Sequence, residues 1–229
     1  MSTSLTWLGH GSWQLKTPEH TILVDPFLDD SPTAAIKSGA AQADFILVSH
    51  GHYDHVADAA KIANRTGAMV VANYEITTWL ANDHGVKNTL GGNLGGGADL
   101  PFGRVKFTLA FHSSSLPDGS NGGNPCGFLL SLKGGRKIYF ACDTALFGDM
   151  ALIGAAGLDA AVLPIGDLFT MGPDDALAAV KLLKPKVVLP SHFGTWPPIA
   201  QDAAAWAARV KAETQSQPVV LQPGETHTL

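Results

Sequence analysis

Four side chains able to bind a metal fall within six consecutive positions of the run SHGHYDH at 49–55: His50, His52, Asp54 and His55. The organisation of the chain follows from this stretch. The run before it, DFILVS, is short and apolar, as a buried parallel strand is. The run after it, VADAAKIANRTG, carries Ala and Ile at helical spacing and stops at Gly67, which predicts a helix over 56–66. The cluster therefore occupies a strand-to-helix loop at the carboxyl end of a strand, where open α/β sheets place their chemistry. His50 and His52, two apart in an extended segment, point the same way and can grip one ion. Asp54 and His55, at the turn into the helix, can grip a second. Imidazole suits zinc, iron and nickel, and the carboxylate admits manganese. A polar loop with surface histidines is the plain alternative, but four ligand-type residues in six at this phase rarely arise by chance.

Upstream, SLTWLGHGSWQLKT predicts a hairpin turning at Gly9-His10-Gly11, and TILVDPFL a strand closed by Asp25-Pro26. Residues 29–43 are a connecting loop with room for a short helix. Downstream come a strand at AMVVAN and a helix at YEITTWLANDHG. The glycine-rich GGNLGGGADLPFGR then separates two halves. It contains neither GxGxxG nor a GK[ST] ending, so it predicts a pair of tight turns around a short strand, not a phosphate cradle. In the second half, VKFTLAFHSSS is a strand ending at His112, and residues 113–125 are turn-rich. GFLLSLKGGRKIYFACDT is a hairpin ending at Asp143. A helix and loop, a strand at LDAAVLPIG and a helix at GPDDALAAVKLLK follow. PKVVLPSHFG is a strand ending at His192, IAQDAAAWAARVKAETQ an amphipathic helix, and PVVLQPGETHTL a last strand. Hairpins mixed with βα units mean mixed sheets, and the two similar halves suggest sheets packed face to face with helices outside. No long linker or charge run divides the chain, so residues 1–229 are expected to form a single domain with internal two-fold character.

Length and charge narrow the function. The chain has 229 residues, 45% of them hydrophobic and 15% charged, enough for a sizeable core. Its net charge is −5 with a pI near 5.9 and no basic run, which argues against a nucleic-acid groove or an anionic membrane surface. The N-terminus lacks the pattern of a signal peptide, and no apolar run approaches the ~20 residues of a membrane span. A cytoplasmic protein without membrane insertion is expected. Cys126 and Cys142 are expected to be reduced, buried thiols. Cys142 should point into the core, opposite Asp143 on a strand, and so is excluded as a ligand.

Three further ligand candidates, His112, Asp143 and His192, each lie directly after an apolar strand, and the loops after the strands of one sheet meet at one edge. His20, His84 and His227 sit in turn or terminal contexts and are read as surface residues. The whole pattern resembles the metallo-β-lactamase superfamily, whose HxHxDH signature is matched by HGHYDH at 50–55. That family's later His, Asp and His match His112, Asp143 and His192 in order and strand-end context. GHGSW at 9–13, HSSS at 112–115, ACDT at 141–144 and MGPDDA at 171–176 resemble a small metal-dependent hydrolase branch, related to ascorbate-6-phosphate lactonases and phospholipase-D-like members. The resemblance covers essentially the whole chain. It implies an α+β fold, the four-layer αββα sandwich of two mixed β-sheets.

It also implies the ligand assignment. His50, His52 and His112 hold a first metal, Asp54, His55 and His192 a second, and Asp143 bridges them. Two divalent ions are expected, zinc first, with Mn2+, Ni2+ or Fe2+ permitted. Two such cations share a water and lower its pKa from ~15.7 to about 7, giving a bridging hydroxide without a Ser or Cys nucleophile. The expected function is a binuclear metal-dependent hydrolase of a small ester, lactone or phosphodiester. Asp54 is the candidate to take the proton of the attacking water. His10 is the candidate for a non-ligand acid or oxyanion donor, its alternative being a packing histidine in the turn. Asp25 is expected to orient a ligand imidazole, or else simply to close its turn. Thr144 and Ser113 are assigned similar supporting work. The 113–125 loop is a lid or a solvent loop. Phe169, Met171 and Trp196 with Pro197 and Pro198 wall the pocket or pack in the core. The competing classes are a non-catalytic metal-binding protein, a nuclease, which would need a basic arm or an inserted domain, and a diiron oxygen- or nitric-oxide-reducing protein. Members of that last class carry Glu where this chain has His52. The partner is thus a small-molecule substrate, and a homo-oligomer is compatible with the apolar content.

Overall fold

Strands whose side chains are buried on both faces and strands buried on one decide the layering. The computed structural model describes residues 2–229. The first half holds β1 (Ser4–Gly9), β2 (Ser12–Lys16), β3 (Thr21–Val24), β4 (Phe45–Leu47), α1 (Tyr53–Val56), α2 (Ala59–Thr66), β5 (Met69–Asn73), α3 (Tyr74–His84) and β6 (Thr89–Gly92). The second holds β7 (Gly97–Leu100), β8 (Gly103–Leu109), β9 (Cys126–Leu132), β10 (Lys137–Phe140), α4 (Met150–Gly154), β11 (Ala160–Pro164), α5 (Pro173–Leu183), β12 (Val187–Ser191), α6 (Ala203–Glu213), β13 (Gln217–Pro218) and β14 (Thr226–Thr228). One seven-stranded sheet runs β14-β1-β2-β3-β4-β5-β6 and the other β13-β12-β11-β10-β9-β8-β7. In each sheet a meander of antiparallel strands passes into parallel ones: β3, β4, β5 and β6 in the first, β10, β11, β12 and β13 in the second. This is the expected four-layer sandwich of mixed sheets.

Alternation places the core. Phe45 and Leu47 of β4 face the space between the sheets, while Ile46 faces the helices of the first half. On β10, Ile138 and Phe140 face inward between the sheets and Tyr139 faces the helices of the second half. Both strands are therefore apolar throughout, as strands covered on both faces must be. On β8, Val105 and Phe107 are buried while Arg104 and Lys106 are exposed, so this strand keeps one face to solvent.

The structure corrects several boundaries. The helix expected over 56–66 is two pieces, a single turn of α1 that begins inside the metal loop and then α2. Residues 29–43 hold no helix. The glycine-rich segment supplies β6, the edge of one sheet, and β7, the edge of the other, so it is the crossover between halves. The strand before His112 ends at Leu109 and the one before Asp143 at Phe140, each three residues early. The expected last strand is split between sheets, β13 pairing with β12 and β14 with β1. The Pro223-Gly224 turn between them is held by the Gly224 N–H donating to the Trp7 carbonyl at 2.7 Å.

Candidate metal centre

The strand ends meet at one edge of the sandwich. β3 runs into Asp25, β4 into Ser49 and His50, β12 into His192, and the chains leaving β8 and β10 carry His112 and Asp143. The β1–β2 turn brings His10. Among the described residues seven non-glycine residues have positive φ, and four belong here: His10 (51°), Asp25 (45°), Cys142 (53°) and His192 (53°). The left-handed region is unfavourable for residues with a Cβ, and such outliers collect at functional sites. The turn around His10 is held across the molecule. Its carbonyl accepts from the Trp7 indole at 2.8 Å, the His192 N–H at 3.1 Å and the Ser191 hydroxyl at 3.2 Å. Its flanking glycines are required by space. A Cβ on Gly9, whose φ is 106°, would lie 2.6 Å from the Thr33 carbonyl, and one on Gly11 would lie 2.9 Å from the His55 ring.

The candidate ligands fall into two groups. Nitrogens of His50, His52 and His112 lie within 4.8 Å of one another, as do the ligand atoms of His10, Asp54, His55 and His192. Asp143 stands between them. Its Oδ2 is 3.9 Å from His50 Nε2, 3.6 Å from His112 Nε2, 3.3 Å from His55 Nε2 and 3.1 Å from His192 Nε2. His50 Nε2 and His52 Nδ1 converge to 3.0 Å. Asp25, a third carboxylate, also lies within 4.8 Å of His50 and His55 nitrogens. The seven residues singled out from the sequence are thus brought together, and His10 joins them.

The electrostatics call for cations. Asp25, Asp54 and Asp143 pair with histidines alone; no Lys or Arg lies within ion-pairing distance of any of them among the described residues. Burial opposes ionisation of Asp143, but His192 and His55 beside it win and hold its carboxyl well below the usual range. Burial likewise opposes ionisation of Asp54, and the His10 hydrogen bond with the charge of His55 holds it low. Burial pushes His50, His52 and His112 down. It also disfavours charge on His55, yet Asp143, Asp25 and Asp54 raise that imidazole well above its ordinary value. Buried carboxylates without fixed positive partners are costly unless cations compensate them. His55 Nε2 and His192 Nε2, both facing Asp143, are buried without a hydrogen-bond partner, which is the condition of atoms aimed at a metal. Nitrogen and carboxylate donors of this kind fit a divalent transition ion.

Supporting contacts orient the ligands. Asp25 Oδ2 lies 3.0 Å from His55 Nδ1, and the same carboxylate accepts from the Ser49 N–H at 2.7 Å and its hydroxyl at 2.6 Å. Ser49 Oγ in turn lies 2.9 Å from His50 Nδ1. Asp25 therefore orients an imidazole, as expected, and reaches a second through Ser49. Substituting Asp25 with Asn is expected to weaken metal affinity about 10–100-fold, as loss of such a partner commonly does. Competition with a chromogenic chelator measures it, and unchanged affinity would refute the assignment. Ser113 Oγ lies 3.3 Å from His52 Nε2. Thr144 differs from expectation: its hydroxyl accepts from the Phe111 N–H at 3.0 Å and donates to the Ala145 carbonyl, touching no ligand.

Other expectations are revised. Cys142 lies beyond the end of β10 and, with left-handed backbone, lines a cavity of about 10 Å³ with Asp25, His55, Asp143 and His192. It also packs against the inter-sheet core, as expected, and belongs to neither ligand group; both cysteines are free thiols. The 113–125 loop is tied to its neighbours. Its own Leu116 is buried, Ser114 Oγ accepts from the Gly51 N–H, Asn73 donates to the Gly122 and Asn124 carbonyls, and Trp79 donates to Asp118. Met171 is buried in the helix-side core, whereas Phe169 and Trp196 are exposed near the site. Ser49 and Thr195 escaped the sequence reading. Ser49 was legible beside His50, but Thr195 carries no local signal.

Comparison with known proteins fits this geometry. A family model described as the Beta-lactamase superfamily domain matches residues 20–193. A UPF0173 metal-dependent hydrolase of Thermus thermophilus is 49% identical, over 96% of both chains. Another, of Symbiobacterium thermophilum, is 46% identical over 98% of this chain and 99% of its own. This chain belongs to the UPF0173 metal-dependent hydrolases of the metallo-β-lactamase superfamily. Igni18, a metallo hydrolase from the archaeon Ignicoccus hospitalis, superposes on the hydrolase with a TM-score of 0.90 at 33% identity, covering 100% and 99% of the two chains. The matched segment of the hydrolase takes in all seven candidate ligands and leaves His10, Thr195 and Trp196 outside. Among the described residues no helix of the hydrolase is long and apolar enough to cross a membrane.

Proposed function

We propose that this hydrolase is a binuclear enzyme of a small ester, lactone or phosphodiester, acting as a single domain in the cytoplasm. The observation that carries the reading is the position of Asp143 Oδ2, within 3.1–3.9 Å of one nitrogen from each of four histidines drawn from both ligand groups. His50, His52 and His112 would hold one ion, Asp54, His55 and His192 the other, and Asp143 would touch both. Divalent ions so held, zinc first, supply Lewis acidity and bring the pKa of a water near neutrality.

The protein's own groups do the rest. Asp54, held ionised against the cost of burial by the His10 hydrogen bond and the charge of His55, and partly open to solvent, would accept a proton from the attacking water. His10 is buried, and burial together with repulsion from His192 pushes it down to about 4, so its ring is neutral at pH 7. Its Nε2 lies 3.0 Å from Asp54 Oδ2 and its Nδ1 2.7 Å from Thr195 Oγ1. With a carboxylate acceptor on one side, Nε2 carries the proton and Nδ1 accepts from the Thr195 hydroxyl. Both nitrogens are engaged, so His10 positions Asp54 instead of acting as an acid on the substrate. Replacing His10 with Ala is expected to lower affinity for the Asp54-side ion about 10–100-fold, and Thr195→Val to move it the same way by less. Chelator competition resolving two sites would show it. Equal loss at both sites would mean a general packing defect.

The test of the whole is metal content measured alongside turnover of p-nitrophenyl acetate, lactones and p-nitrophenyl phosphodiesters with Zn2+ and Mn2+. Two ions per chain with turnover of one substrate class support the proposal. Tight binding with no hydrolysis across the panel would instead favour a non-catalytic metal-binding protein.

A further inference from the structure

Of the eight large apolar side chains exposed among the described residues, five belong to segments that carry or adjoin the candidate ligands: Tyr53, Phe111, Leu168, Phe169 and Trp196. Tyr53 stands inside the HGHYDH loop, and Phe111 directly precedes His112. Trp196 packs on the edge of His10 with ring centres 4.9 Å apart, and buried Phe27 joins it to Tyr53 at 6.1 and 5.8 Å. That makes one continuous aromatic wall.

The second wall is the loop Gly166–Gly172, and topology places it at the same sheet edge. It leaves β11, which lies between β10 and β12, the strands that lead to Asp143 and His192. It is tied to both neighbours. The Met171 N–H donates to the Thr144 carbonyl beside Asp143 at 3.0 Å, and Gly166 packs so closely on the His192 carbonyl that no Cβ would fit. Within the loop Asp167 and Leu168 are both left-handed, at φ 62° and 51°. The Asp167 carboxylate accepts from the Leu168 N–H at 2.8 Å, and the Asp167 carbonyl from the Thr170 N–H. Two consecutive strained residues thus hold Leu168 and Phe169 out to solvent, 66% and 57% exposed. Leucine in this conformation and in water is unfavourable on both counts, so the arrangement needs a compensating use. Neither wall offers Lys or Arg, the usual partners of a phosphate or carboxylate ligand.

We propose that the two walls form a subsite for an apolar group, and that the substrate is an uncharged ester or lactone carrying an alkyl or aryl chain. This rests on the hydrolase reading above and narrows it. Leu168 and Phe169 determine specificity, by removing the chain from water next to the scissile bond.

Two measurements test it on the metal-loaded protein. The first is kcat/KM across p-nitrophenyl acetate, butyrate and octanoate, with bis(p-nitrophenyl) phosphate as the charged comparison. The second is calorimetric affinity for acetohydroxamate against octanohydroxamate, which needs no turnover. Octanoate is expected to exceed acetate by about tenfold or more, and octanohydroxamate to bind tighter by a similar factor, given the ~4-fold gain per buried methylene. In Leu168→Ser/Phe169→Ser both ratios should shrink toward one. Both sites are exposed enough for the variant to fold. A chain-length gradient in hydroxamate binding with no ester hydrolysed would sink the hydrolase reading and leave the subsite standing. Turnover with no gradient in either series, or preference for the charged phosphodiester, would overturn the subsite and leave the hydrolase standing.

Discussion

Asp143→Asn is expected to reduce the divalent ions bound per chain from two to one at most, and to cut kcat/KM by about a thousandfold or more. The substitution keeps the side chain's shape and removes only its charge. That charge is the one point shared by both ligand groups, since four imidazole nitrogens surround the same oxygen. A neutral amide cannot bridge two cations, and its N–H2 would face nitrogens that are themselves donors or ligands. The Lewis acidity of a bound ion is worth several kcal/mol of transition-state stabilisation, and 1.36 kcal/mol is tenfold, which sets the scale of about 10³. The metal-free protein should suffer too. Burial disfavours charge on His55 and the carboxylates restore it, with Asp143 foremost. Removing one partner of a buried pair costs about 3–5 kcal/mol. Elemental analysis after desalting, with ester turnover and urea unfolding, measures all three effects. Two ions retained at wild-type turnover would mean that Asp143 is not the bridge.

The second large effect is on stability. Saturating the centre with Zn2+ should raise the melting temperature by about 5–10 °C for each site filled, and a chelator should reverse it. Binding to the folded state alone contributes about 2.7 kcal/mol at a metal concentration 100-fold above Kd. For a chain of this length each kcal/mol shifts the midpoint by roughly 2–4 °C. The physical source is specific. Buried nitrogens of His55 and His192 lack hydrogen-bond partners, and Asp25, Asp54 and Asp143 have no Lys or Arg beside them, so a bound cation supplies the positive charge that the fold does not. Calorimetric melts across a metal titration would show the shift. Flat melts at millimolar Zn2+ would mean that the convergence of ligands is not a metal site, whatever the turnover assays say.

How much of this was legible differs residue by residue. The HGHYDH cluster could be read because its meaning is local: period-two spacing aims His50 and His52 together, and an apolar run before it makes a strand. Asp25, Asp143 and His192 could be placed at strand ends for the same reason. The assignment of Asp25 to an imidazole held because a carboxylate closing one parallel strand naturally meets the loop closing the next, and β3 pairs with β4. Thr144 was misread since its neighbour in sequence, Asp143, is a ligand candidate, while its own hydroxyl turns to Phe111. Cys142 packs against the inter-sheet core on the same side as Ile138 and Phe140, so alternation carries to it although the strand ends at Phe140.

The sequence by itself determined the ligand chemistry, the strand-and-helix order and the sandwich, since each follows from spacing, polarity and apolar runs within a few residues. Only the tertiary structure decided which groups His10 meets, which sheet takes each end of the last segment, and that Met171 is buried while Leu168 and Phe169 are exposed. Those outcomes depend on contacts such as the His192 N–H on the His10 carbonyl, and on left-handed backbone at Asp167 and Leu168. Such contacts join residues more than 180 positions apart or override local preference, so no short-range pattern encodes them.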